Sequence, residues 1–277
     1  MVRIAGLAIA VILVIASVAG GASEPAADSS PHLFLVPTDG EAAAALKRAD
    51  ARVIARYSAF TLVEASANDA RALRAAGSDR RDDMRAVTIG NRAIDPTKQR
   101  SALATKTTSP DVRGLAIVQF VGPIKDDWLE RLRKTGARVV IYMAQNSYLV
   151  HGSARELARV AALGGVDQAV RAVVPYTAQD KLRTAVKSSG SQRLAVQSLS
   201  GDDGSAARDA VTRATNRRLR GTSAVGPLRT QYVDADASAV TALASDPGVV
   251  SIAPAPVHEL QDERQAQILA GNVSGDR

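Results

Sequence analysis

The chain has 277 residues, 46% of them hydrophobic, which is enough to bury a core and corresponds to roughly two or three compact units rather than one. It has no cysteine, so a disulfide framework and a lipid-modified cysteine are both excluded, and stability must come from packing. The net charge of +7 and pI near 10.0 invite a nucleic-acid partner, but Lys and Arg are spread over every segment and aromatics make up 3%. The charge therefore reads as solvated helix faces, and the sequence points to no nucleic-acid partner.

Residues 1–22 open with Arg3, run through an uncharged apolar stretch, and end in small residues, with Ser17/Ala19 or Gly20/Ala22 as cleavage pairs. That is the pattern of a secretory signal peptide. The apolar run is short for a span of about 20 residues, so the expectation is a secreted or cell-envelope protein with no stable membrane insertion after cleavage. Residues 23–31 form a polar linker.

Three variations on one pattern follow. In the first unit, 32–90, residues 32–37 read as a short strand, 41–49 as an Ala-rich helix, and 52–57 and 60–65 as paired strands. Ser66 with Asp69 resembles a capping box opening a helix that stops at Gly77, and 85–89 is expected to close the unit. Residues 91–113, rich in Thr, Ser, Lys and Pro without periodicity, form a linker.

The second unit, 114–181, is the clearest. Residues 115–121 suit a buried strand ended by Gly122-Pro123. Within 125–135, Trp128, Leu129 and Leu132 share one helical face, with Asp126 and Asp127 first and Arg131, Arg133 and Lys134 last, the order the helix dipole favours. Strands at 138–143 and 147–151 flank a turn at Gln145-Asn146. Ser153-x-x-Glu156 is a capping box for a helix with Leu157, Val160 and Ala161 on one side, stopped by Gly164-Gly165. Residues 170–174 supply the last strand before Pro175. After a linker at 182–192, the third unit, 193–258, offers strands at 193–199, 228–233 and 249–253 and helices at 205–220 and 237–245.

The repeat is visible residue by residue. Ala51-Arg52-Val53-Ile54 echoes Ala137-Arg138-Val139-Val140, Tyr57 echoes Tyr142, Leu62-Val63 echoes Leu149-Val150, and Ser66 echoes Ser153. Val170-x-x-Val173-x-Pro175 echoes Val249-x-x-Ile252-x-Pro254. The expected fold class is α+β, with tandem β-α-β-β-α-β ferredoxin-like plaits, each marginal alone.

The residues Phe120-x-Gly122-Pro123, Trp128, Leu132, Gly136-Ala137, Tyr142, Asn146-x-Tyr148-Leu149-Val150 and the Val-x-x-Val-x-Pro ending at Pro175 resemble the N-terminal, propeptide-like region of large secreted bacterial subtilisin-like serine proteases. Gly248-Val249-Val250-x-Ile252-x-Pro254-x-Pro256, followed by Glu259-Leu260 and Glu263-Arg264, resembles the junction before such a catalytic domain, which places that junction at 259–277. The resemblance implies units that assist folding of a protease domain and inhibit it until removed. The implied partner is a subtilisin-like protease domain, in cis or in trans, and the implied contacting tail is Pro254, Pro256, His258, Glu259 and Leu260. A free-standing exported inhibitor or envelope interaction module is the alternative.

No catalytic set accompanies the resemblance. Gly221-Thr222-Ser223-Ala224-Val225-Gly226-Pro227 is similar to the family's nucleophile motif, and Asp39, His151 and Ser223 fall in its chain order. Yet Val225 breaks the motif, His151-Gly152 lacks a second His, and Asp39-Gly40 lacks the intervening Ser or Thr. The chain is read as non-catalytic, the catalytic domain lying outside it. His32, His151 and His258 have no metal-ligand spacing and read as surface or strand-edge residues, so no metal site is expected. Asp82-Asp83 and Asp202-Asp203 read as solvated turns, and no nucleotide-binding loop implies a cofactor.

Overall fold

The computed structural model describes residues 30–89, 92–95, 110–166, 169–183, 186–215 and 221–256. The expected signal segment and the 259–277 junction lie outside them. The architecture is α+β, as the pattern of elements required.

The first unit contains β1 (His32–Pro37), α1 (Gly40–Arg48), β2 (Ala51–Arg56), β3 (Phe60–Ala65), α2 (Ala67–Ala75) and β4 (Asp79–Arg80), with strand order β2-β3-β1-β4. A hairpin of β5 (Val87–Ile89) and β6 (Arg92–Ile94) follows. The second unit contains β7 (Arg113–Phe120), α3 (Asp126–Lys134), β8 (Arg138–Met143), β9 (Ser147–Ser153), α4 (Ala154–Val166) and β10 (Val170–Pro175), in the order β10-β7-β9-β8. A one-turn helix, α5 (Ala178–Lys181), leads to the third unit: β11 (Gln192–Leu199), α6 (Ser205–Thr215), β12 (Thr222–Val225), β13 (Leu228–Ala235), α7 (Ala237–Ser245) and β14 (Val249–Pro254), in the order β12-β13-β11-β14. All pairings within these sheets are antiparallel. Numbering the strands of each unit from its own start, every sheet runs second, third, first, fourth.

Local chemistry accounts for most boundaries. The Ser153 hydroxyl accepts from the Glu156 amide at 3.3 Å while Glu156 Oε2 accepts from the Ser153 amide at 2.7 Å, the reciprocal box expected at the start of α4. At α2 only half of it forms: Ser66 Oγ accepts from the Asp69 amide at 3.3 Å, and Asp69 turns back to Ser66 Oγ at 2.7 Å. On α3, Asp127–Arg131 at 3.2 Å and Glu130–Lys134 at 3.0 Å form i,i+4 pairs.

Several boundaries differ from the sequence reading. The first unit is closed by the two-residue β4, not by 85–89; Asp82–Arg85 is a 3-10 turn and Val87–Ile89 pairs with Arg92–Ile94 inside the stretch read as linker. The cause is Asp82, whose Oδ1 accepts from the Leu33 amide at 2.8 Å and locks the turn against β1. Gly164 does not stop α4. A side chain there would sit 2.5 Å from the Val170 carbonyl oxygen, so glycine serves close approach of helix and strand. Ala161 is exposed, and Leu157 and Val160 carry that helix's packing. The stretch read as the 182–192 linker includes Leu182, which bridges to Ile252 in parallel on the outer edge of β14.

Each sheet carries its helices on one face. Phe34, Val36, Val63 and Ala65 pack against Ala42, Ala45 and Leu73 in the first unit. Ala116, Val118, Phe120 and Val150 pack against Trp128, Leu132, Leu157 and Val160 in the second, and Leu194, Val196, Val233 and Ile252 against Ala207, Val211, Val240 and Leu243 in the third.

The opposite faces are treated differently. That of the first sheet, with Leu33 and Leu62, joins the second unit's core around Trp128. There a side chain on Gly122 would come 2.5 Å from Leu62 Cδ2, Tyr57 donates its hydroxyl to the Pro123 carbonyl at 2.7 Å, and Lys125 Nζ stands 4.9 and 5.2 Å from the Tyr57 and Trp128 rings. The opposite face of the second sheet, Leu115, Ile117 and Leu149, is covered by Val87, Ile89 and Ile94 of the hairpin together with Leu199 and Val250 of the third unit.

This packing makes Leu62 a test of unit coupling. Leu62→Ala empties a fully buried position and is expected to lower stability by about 2–5 kcal/mol. Urea denaturation followed by the emission of Trp128, the single tryptophan, measures the loss.

Candidate functional site

The third sheet alone has most of its helix-free face uncovered by other described residues. The register places Ala195, Gln197, Thr230, Tyr232, Ser251 and Ala253 on that side, because their neighbours Leu194, Val196 and Ile252 point into the helix-side core. Ala195, Thr230, Tyr232 and Ala253 are part-exposed, and Ser223 and Val225 of β12 extend the face with exposed side chains, Val225 at 79%. Its centre is internally satisfied: Ser251 Oγ donates to Gln197 Oε1 at 2.9 Å. The surface is small-residue and polar, with one tyrosine, and can meet a partner without unpaired charge at its middle.

The tail expected to contact a protease leaves from this sheet. Pro254 ends β14 opposite Leu194 and is exposed, the Ala255 amide donates to the Arg193 carbonyl at 3.0 Å, and Pro256 is exposed beyond it. Proline at these positions removes donors only at an edge strand, where they are dispensable. On the outer side of β14 the Arg183 amide donates to the Ile252 carbonyl at 2.9 Å, so the connector covers that edge at Ile252. His258, Glu259 and Leu260 lie outside the described residues.

The residues weighed as a triad are placed differently. Ser223 is exposed on β12, a short strand not foreseen in the sequence, whereas His151 is 3% exposed on β9, which lies between β7 and β8. His151 is thus neither a surface nor an edge residue. Its Nδ1 is 3.6 Å from Asp203 Oδ1, a carboxylate of the third unit. Asp203 Oδ2 also lies 3.1 Å from Arg138 Nη1, whose guanidinium donates to the Ser200 carbonyl at 3.0 Å, and Arg113 bridges Glu156 at 3.2 Å and Asp203 at 3.6 Å. One carboxylate therefore clasps three cationic or protonatable side chains of the second unit.

Gly204 permits this, since a side chain there would collide with the Leu199 carbonyl and prevent the turn Asp202–Gly204 from folding back. Asp203 is thus an inter-unit tie, not a solvated turn residue. Burial pushes its carboxyl up, but the Arg138 hydrogen bond and the charges of His151, Arg113 and Arg138 outweigh this and hold it below the usual range. His151 is displaced downward, chiefly by burial and then by Arg113 and Arg138, against the pull of Asp203 and Glu156.

His32 is also buried rather than superficial, with Nδ1 2.9 Å from Asp82 Oδ2, so Asp82 too is engaged. A third buried group went unnoticed in the sequence. Lys181 is 3% exposed, with Nζ donating to the Asp246 carbonyl at 2.5 Å just past the end of α7, and burial pushes its pKa down to about 8. Asp180 beside it closes a capping box with Thr177. Among the described residues, no group of three or more His, Asp and Glu is placed to hold a metal ion, and no helix is long and apolar enough to cross a membrane.

Compared with known families, residues 88–177 match the model of a domain of unknown function, DUF8729. The match begins within β5 and ends two residues after β10, so it joins most of the hairpin to the sheet whose face the hairpin covers. No curated protein matches the chain.

Two pH dependences follow. Below its ordinary pKa of 6.5, His151 is protonated in the unfolded chain but resists protonation in the fold, so stability is full above that pH and falls as pH drops below it. Asp203, Glu156 and Glu64, all held low, lose their contribution only at more acidic pH. His151→Gln is expected to flatten the slope of urea midpoints just below pH 6.5, whereas Asp203→Asn lowers stability at neutral pH by about 1–3 kcal/mol.

Lys181 acts in the alkaline range. With its folded pKa depressed from 10.5 to about 8, the native state binds fewer protons than the unfolded chain between those values, so stability rises with pH there. Melting midpoints between about pH 8 and 9.5 are expected to rise for the native chain and stay level for Lys181→Met.

Proposed function

We propose that the chain is the non-catalytic N-terminal region of a secreted subtilisin-like serine endopeptidase, acting as folding chaperone and inhibitor of the protease domain. Its units on this reading are ferredoxin-like plaits related to subtilisin propeptides. The observation that carries the reading is the third sheet. Its order is second-third-first-fourth with both helices on one side, its other face is largely open, and the chain leaves β14 in extended form through Pro254 and Pro256. An open sheet face beside an extended strand-end is what an inhibitor needs to grip a protease while a segment lies strand-like in the substrate cleft.

The first two sheets fit a scaffolding part, because their corresponding faces are occupied within the chain. Net charge of +7 supports steering toward an acidic catalytic domain. Within the chain, the resemblance at Gly248 to Pro256 coincides with the β14 exit.

Inhibition of a subtilisin by the purified chain is the direct measurement. Slow, tight inhibition is expected, with Tyr232→Glu on the open face weakening it at least tenfold without changing the melting midpoint. No inhibition at micromolar chain, together with no gain in refolding yield of a subtilisin catalytic domain, would sink the proposal.

A further inference from the structure

The fourth strand has six residues in the second and third units, but only two in the first. It cannot continue there, because Asp82 pins the following turn: its Oδ2 takes Arg80 Nε at 2.6 Å and stands 2.9 Å from His32 Nδ1, and its Oδ1 takes the Leu33 amide at 2.8 Å. The missing strand leaves a concavity of about 450 Å³ between α2 and the sheet, lined by His32, Phe34, Ala70, Arg71, Arg74 and Arg80 among others.

The charge in this groove is compensated only at Arg80, which Asp82 holds through Nε. Arg52, Arg80, Arg81 and Arg85 of the same unit each have a carboxylate partner, whereas Arg71 and Arg74 have none among the described residues. These two stand at i,i+3 on α2, where like charges are mutually unfavourable. No acidic side chain lines the groove.

We propose that this groove binds an acidic peptide, with Arg71 and Arg74 on one wall engaging its carboxylates and Arg80, tied to Asp82 through Nε, offering its remaining N–H groups from the other. Guanidinium groups match carboxylates bidentately. Here they come from two elements on opposite sides of an apolar floor of Phe34 and Ala70, which suits carboxylates spaced along a chain with an apolar residue between them. The volume falls within the range of small ligand pockets, about 300–1,000 Å³, and accommodates a few residues. The site lies on the first unit, and its existence does not depend on what the third sheet docks.

Titrating the isotope-labelled full chain with a capped Glu-Leu-Glu-Glu peptide tests this. Amide resonances of residues 67–75 and 79–80 are expected to shift, more strongly at low ionic strength, while the Gln-Leu-Gln-Gln counterpart leaves them unmoved. The double substitution Arg71→Gln/Arg74→Gln is expected to weaken binding about five- to tenfold. The single substitutions, on an exposed helix face, are expected to weaken it less with unchanged melting. Absence of shifts at millimolar peptide, equal binding by the double variant, or inorganic phosphate binding the same residues at least as tightly would each overturn the proposal, the last in favour of a free-anion site.

Discussion

A four-stranded sheet roofed by two helices has one face that its own elements cannot cover, and the rest of this molecule follows from how that face is treated. A unit of this size buries too little surface to leave it bare without cost. In the first sheet Leu33 and Leu62 are roofed by the Trp128 region of the next unit. In the second, Leu115 and Ile117 are roofed by the β5–β6 hairpin and by Leu199 and Val250 of the unit after. Each unit thus completes its neighbour's core, and the third retains a face largely open among the described residues, whose composition is polar and small rather than oily.

Polar groups set the geometry of these junctions. Gln119, fully buried on the covered face of the second sheet, gives its amide to the carbonyls of Met84 and Ala86 at 3.0 Å each, so the hairpin is held by hydrogen bonds as well as by Val87 and Ile94. At the next junction Asp203 is gripped by Arg113, Arg138 and His151, and Lys181 caps the carbonyl of Asp246. Part-exposed ion pairs such as those of Asp203 contribute little net stability, whereas leaving the buried Lys181 without its partner would be costly. They therefore specify one arrangement of units more than they strengthen it.

Much of the fold was legible residue by residue. Alternation and β-branched runs marked β1, β3 and β8 to their ends, and the Ser153–Glu156 box marked the start of α4, because those signals act within a few residues. The misreadings share one cause. The strand β4, the Arg92–Ile94 strand, the bridge at Leu182 and the exposed β12 are short or polar segments whose structure is imposed by a distant partner, such as Asp82 on Leu33 or Ile252 on Leu182. The glycines misled similarly: Gly164 looks like a helix stop, yet is there because Val170 approaches closely.

The candidate sites divide along the same line. Sequence alone determined the α+β class, the threefold repetition, the prolines that extend the chain after β14 and the absence of cysteine, since these depend on local pattern and composition. Tertiary structure decided which sheet faces are covered, that His151 and Asp203 meet across units, that Lys181 is buried, and that Arg71, Arg74 and Arg80 line one groove. Burial and charge pairing are properties of distances between segments far apart in the chain, and only the packed sheets set those distances.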